Sequence, residues 1–352
     1  MKRVPVIPIC GLLAVLSPAI TPARSGEPQS PQRPAQAEAL ATDTIANPVV
    51  ARGADPWVIR HGDAYYLCQS RGDRGIFVNR FTRLRDIGTG EGKRIWRPPP
   101  DTAYSRELWA PELHHLRGRW WVYVAADDGD NANHRMYVLE GPAEDPQAEF
   151  TFKGRIAAPS DRWAIDGTVI EMPDGRLYFV WSGWGGEVNV AQHLYIAPMS
   201  DPWTISGERV RISSPELAWE LNGRPLINEG PQALWNGGRL FLIYSASGSW
   251  TDDYCLGRLT WTGGDPLDPA SWVKHPKAVF ARTKDVFGPG HCSFVKSRDG
   301  REDWLVYHSA RFSGAGWNRH INMQRFGWNP DGSPAFGAPI AAGIPMPAPS
   351  GD

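Results

Sequence analysis

Five times along the chain a short apolar run, a polar turn and a second, bulkier aromatic run follow one another. The copies read ADPWVIRHGDAYYLCQS from Ala54, WAPELHHLRGRWWVYVAAD from Trp109, IDGTVIEMPDGRLYFVWSG from Ile165, NEGPQALWNGGRLFLIYSAS from Asn228 and GHCSFVKSRDGREDWLVYHSA from Gly290. The turns HGD, LRG, PDG, NGG and RDG supply residues that reverse a chain between two strands, so each copy predicts a β-hairpin. Successive copies start 55 to 63 residues apart.

Each hairpin runs on into a third strand, read in IFVNRF, HRMYVLEG, HLYIAPM, YCLGRLTW and HINMQRFGW, and shorter segments such as FTFKGRI supply a fourth. Four antiparallel strands repeated around an axis make a propeller blade. Five starts therefore predict an all-β fold, a five-bladed β-propeller with four-stranded antiparallel blades. A β-sandwich does not repeat its hairpin at this interval, and a β-helix repeats at a much shorter one. No segment of comparable length has helical periodicity; SPELAWEL is at most a turn or two.

In an up-and-down blade the first strand lines the central channel. Its beginning, the link from second to third strand and the link from the preceding blade emerge on one face, and the tight turns on the other. The strand openings thus ring one mouth of the channel and carry Asp55, Ala110, Asp166, Glu229 and His291. The second-to-third links are longer than the turns and surround the same mouth, where they offer Trp184, Trp250 and Trp317; Trp109 opens its own first strand and faces the same way. Three carboxyls sharing a concave, partly dry site raise one another's pKa. A protonated acid beside an ionised base is what glycosidic cleavage needs, one protonating the leaving oxygen and the other activating water or attacking the sugar. The plainer reading has Asp55 and Asp166 merely binding backbone amides at the blade tops. It loses force when three such residues ring one channel.

Composition narrows the partners. A net charge of −1 over 352 residues gives no electrostatic case for nucleic acid or an anionic membrane. The 17 Trp and 37 Gly fit an all-β fold and also sugar binding, because indole faces stack on sugar rings, although most of the Trp are expected in the core. Residues 1–25 read as a signal peptide, with Lys2 and Arg3 ahead of an apolar run and a small-residue cleavage site before Gly26, which points to a secreted or periplasmic protein. Residues 26–45 read as a flexible linker, 46–338 as the propeller and 339–352 as a tail. Cys68, Cys255 and Cys292 allow at most one intrachain disulfide, with buried free thiols as the default. A monomer is expected.

At ADPWV with Asp55, WAPEL with Trp109, IDGTV with Asp166, NEGPQAL with Glu229 and GPGHCSF with His291, the chain resembles glycoside hydrolase family 43 from about Asn47 to Gly337. The resemblance implies a five-bladed propeller and an inverting mechanism. Asp55 would be the general base, Glu229 the general acid, and Asp166 the residue that raises the acid's pKa and holds it in place. The family's fifth-blade arginine, which would contact a catalytic carboxylate, falls on Arg319, with Arg325 close by. His291 matches a position that in many members helps hold a metal, often calcium, through water; a hydrogen-bonded channel histidine without metal is the alternative, and the chemistry needs no cofactor. The wording DGDNANHRMYVLEG and LINEGPQALW is most similar to exo-acting α-L-arabinofuranosidases. That implies a plant cell-wall oligosaccharide or polysaccharide as partner, either arabinan or arabinose side chains. A β-xylosidase of the same family and a non-catalytic sugar-binding propeller remain as alternatives.

Overall fold

The computed structural model of the protein describes residues 43–90 and 92–352. The expected signal peptide, and the linker up to residue 42, lie outside the described residues. Five sheets follow one another along the chain, each with its strands ordered from the inside outward in chain order. Blade I comprises Trp57–His61, Ala64–Ser70, Ile76–Phe81 and Lys93–Trp96. Blade II comprises Arg106–Leu116, Arg119–Asp127, Arg135–Glu140 and Thr151–Arg155. In blade III, Ala164–Glu171, Leu177–Trp184 and Gln192–Asp201 are followed by a divided outer position, Thr204–Ile205 and Val210–Ser213 both pairing with the third strand. Blade IV comprises Asn228–Asn236, Arg239–Ala246, Cys255–Trp261 and Trp272–Lys274. Blade V comprises Phe287–Lys296, Asp303–Ala310, Arg319–Trp328 and Pro334–Ala335. SPELAWEL contributes a single 3-10 turn, Ala218–Glu220.

The second strands read as unbroken apolar runs because both of their faces are buried. Successive side chains of a strand point to opposite faces. In RWWVYVAAD, Trp120, Val122 and Val124 pack toward blade I while Trp121, Tyr123 and Ala125 pack toward blade III. Leu240, Leu242 and Tyr244 likewise meet blade III, and Phe241 and Ile243 meet blade V. Each seam between blades is its own hydrophobic cluster, so the core is a ring of five wedges around a polar axis.

The ring is closed by its two ends. Thr44–Ala46 pairs antiparallel with Pro345–Pro347. The amides of Val49 and Val50 donate to the carbonyl of Ile321 at 2.9 and 3.2 Å, laying the first segment along the third strand of blade V. The Asn47 side chain accepts from the Met323 amide at 2.9 Å. Met346 is buried in the seam between blades I and V, and the Asp352 carboxylate accepts from the amides of Leu84 and Arg85 at 2.9 and 2.7 Å. The stretch read as a tail, 339–352, is therefore packed. Its Pro, Ala and Gly content resembles a linker, but Ile340 and Met346 find apolar surface in the seam. Cys68, Cys255 and Cys292 are buried and unpaired.

Candidate active site

The inner strands enter the ring through one shared backbone device. Asp55, Ala110, Asp166, Gly230 and His291 all have φ between 42° and 55°. In blades II to V the pairing of first and second strands also slips at this point. A bulge in the left-handed conformation re-aims a side chain that strict alternation would send into a seam. This corrects the ring inferred from the sequence. The blade IV counterpart of Asp55 is Gly230, and Glu229 stands one residue earlier, level with Trp109, Ile165 and Gly290. Aligning the following Pro56, Pro111 and Pro231 reveals the same register.

Gly230 is glycine for a local reason beyond its φ. A Cβ there would come within 3.2 Å of His291 Nδ1 and 3.3 Å of Ser245 Oγ. Gly290, the blade V counterpart of Glu229, leaves room for the Tyr254 ring, which a Cβ would strike at 2.3 Å.

A pocket of about 490 Å³ opens over the channel mouth, and Asp55, Asp166, Glu229, His291 and Arg319 line it together with Trp109, Trp250 and Trp317. Trp184 is not among its walls. It is the last residue of a second strand rather than part of the loop, and it is buried, stacked at 4.8 Å on Trp163. Trp163 lines the pocket instead. It lies on the link from the preceding blade, a segment that the topology had already assigned to this face. Arg319 reaches into the pocket, whereas Arg325 points away and pairs with Glu302 at 3.0 Å. The loops of blades IV and V are tied together: Trp317 Nε1 donates to Ser249 Oγ at 3.2 Å and Arg319 to the Ser249 carbonyl at 2.7 Å.

The three carboxyls sit in unlike surroundings. Burial raises Asp55, but His291, His308 and Arg319 outweigh it and hold the carboxyl well below its usual range. Asp55 Oδ1 lies 3.4 Å from His291 Nδ1, 3.2 Å from His308 Nδ1 and 3.6 Å from Arg319 Nη1. The Asp55 amide also donates to His308 Nδ1 at 3.1 Å. Glu229 is pushed upward by burial and, to a lesser extent, by Asp55, against the pull of His291, Tyr254 and Arg319. The Tyr254 hydroxyl donates to Glu229 Oε1 at 2.8 Å, and no protein donor meets Oε2 among the described residues. Asp166 is pushed up to about 8, by burial first and then by the charges of Glu229 and Asp55. Its Oδ2 accepts from the Gly230 amide at 3.0 Å, so it pins the backbone directly after Glu229.

Tyr254 and His308 escaped the sequence reading. They stack with ring centroids 5.6 Å apart and planes 11° apart, one touching Glu229 and the other Asp55. Tyr254 closes a loop whose tryptophan drew attention, and His308 sits in the apolar second strand of blade V, where nothing in the local wording marks it.

For His291 the sequence leaves two readings, a calcium held through water and a hydrogen-bonded channel histidine without metal. His291 Nδ1 faces Asp55 and, at 3.9 Å, Asp166, and these carboxylates outweigh burial and favour the imidazolium. Among the described residues no three His, Cys, Asp or Glu side chains converge as ligands.

A sequence profile for glycosyl hydrolases family 43 matches residues 45–334. The chain is similar to the extracellular exo-alpha-(1->5)-L-arabinofuranosidase of Streptomyces avermitilis, 37% identical over 361 residues that cover 98% of this chain and 72% of that protein. It is 36% identical to the enzyme of the same description from Streptomyces chartreusis over 273 residues, 76% of this chain and 82% of that one. Among solved structures, the alpha-L-arabinofuranosidase from Lactobacillus brevis superposes with a TM-score of 0.79 at 36% identity, covering 85% of this chain and 98% of that one.

Proposed function

The chain belongs to glycosyl hydrolases family 43, glycosidases that hydrolyse O-glycosyl bonds, and from that premise we propose that it is an inverting, exo-acting α-L-arabinofuranosidase. Its substrate is arabinan or the arabinose side chains of a plant polysaccharide. The observation that carries the reading is one pocket holding Asp55, Glu229 and Asp166 in three different electrostatic settings. The activities of the similar enzymes support the choice of sugar.

Asp55, kept ionised, takes a proton from water as the water oxygen bonds to the anomeric carbon. The glycosidic C–O bond breaks on the opposite face, and its oxygen takes the proton held by Glu229. Tyr254 fixes Oε1, which leaves Oε2 to meet the leaving group. Asp166 is a positioning residue: it holds the acid's backbone through Gly230, and burial and the charge of Glu229 favour its own protonated form. Trp109, Trp250 and Trp317 supply faces for sugar rings, and Trp163 forms part of the pocket wall. The apolar segment within residues 1–25 and the extracellular descriptions of the similar enzymes support export.

The test is product analysis on linear and branched arabinan. Single arabinose as sole early product, released with inverted anomeric configuration by proton NMR, is the expected result. Xylose release in its place, or a retained anomer, overturns the reading.

A further inference from the structure

A second recess opens beside the pocket, over the junction of blades I and II. It has a volume of about 420 Å³ and shares Asp55 and Trp109 with the candidate active site. Its character is different. Arg52, Arg71 and Arg74 all line it, and Asp55 is its one acidic wall among the described residues. Asp55 is already balanced by His291, His308 and Arg319. The neighbouring acid of the same loop, Asp73, is taken by Arg106 at 2.6 Å. The guanidinium groups of Arg52 and Arg74 have no ion pair with any described residue, and Arg71 lies over the Phe77 ring at 4.3 Å.

An excess of positive side chains on a concave surface raises the local concentration of anions. Guanidinium groups match the geometry of a carboxylate in particular. Gln69 and Ser70 also line the recess and are only partly buried, and their polar side chains suit sugar hydroxyls. Carboxylate and hydroxyls together describe a uronic acid.

We propose that this recess is an accessory subsite for a uronate residue, carried by the polysaccharide whose arabinose enters the adjoining pocket. This rests on the arabinofuranosidase reading for its link to turnover, but binding can be measured without it. The uronate belongs either to a galacturonate-containing or to a glucuronate-bearing chain, and two probes separate these sources.

Calorimetry on the full-length protein with trigalacturonate, glucuronate-substituted xylotriose and plain xylotriose makes the test. At least one acidic probe is expected to bind roughly tenfold or more tighter than xylotriose at low salt. That margin should shrink at about 0.5 M salt, where charges are screened within a few ångströms. In Arg52→Gln/Arg74→Gln, whose side chains carry no core packing, the margin should collapse toward one. Which acidic probe keeps it in the unsubstituted protein identifies the source. Equal binding of acidic and neutral probes, or a margin that survives the double substitution, overturns the subsite. Failure to release arabinose from any substrate sinks the enzymatic reading and leaves the binding result for the recess intact.

Discussion

Blades I and IV bring carboxylates to one pocket from one backbone device, and they do so differently. Blade I places Asp55 on the left-handed residue itself, where a short side chain meets His291, His308 and Arg319 and stays ionised. Blade IV puts Gly230 at that point and carries Glu229 one residue earlier, where burial and Tyr254 surround it. His291 and Arg319 pull on the acid as well, but there burial outweighs them, and the Gly230 amide is left for Asp166. Two carboxyls on a common scaffold thus have opposite shifts in proton affinity. Asp166 shares the register of Asp55 and is still pushed up to about 8, so the bulge aims a carboxyl while burial and neighbouring charges set its proton affinity.

The strongest way to break this comparison is to remove each ionisable group in turn. Glu229→Gln and Asp55→Asn should each cut turnover of an aryl arabinofuranoside by roughly 10²-fold or more. Both should keep the native circular dichroism spectrum. Wild-type rates in both variants would end the assignment of acid and base.

A smaller effect is expected at the offset itself. Gly230→Ala keeps the carboxylates but adds a methyl 3.2 Å from His291 Nδ1 at a residue with φ of 55°. The left-handed conformation alone costs about 1–2 kcal/mol for a residue with a Cβ. We expect a melting temperature lower by about 2 °C or more and a loss of roughly tenfold in kcat/KM, since the acid's backbone and the Asp166 contact move together. Unchanged kinetics would show that the glycine serves folding alone.

Tyr254→Phe sharpens the comparison further. The hydroxyl donates to the charged form of Glu229 and so lowers its pKa. Without it the acid holds its proton to higher pH, and the alkaline limb of the kcat/KM profile should rise by about one pH unit. The acid limb, governed by Asp55, should stay where it is. An alkaline limb that moves downward would mean that Tyr254 stabilises the protonated acid instead.

Much of this was legible in the order of residues. Repeated hairpins announce themselves because strand alternation and turn chemistry are local, so the five blades could be counted from ADPWV, WAPEL, IDGTV, NEGPQAL and GHCSF. Features that depend on packing were not legible in the same way. Trp184 belongs to a strand rather than a loop, Glu229 is offset by one residue from the level of Asp55, and residues 339–352 have the composition of a tail although Met346 fills a seam. Tyr254 and His308 were invisible because their importance is a matter of which carboxylate they touch.

The chain by itself determined the number of blades and the face to which its carboxylates belong, because period-two burial and tight turns are written within a few residues. Only the tertiary structure decided which carboxyl keeps its proton. Proton affinity depends on burial and on charges a few ångströms away, and those charges come from His291 and Arg319, more than 200 residues along the chain from Asp55.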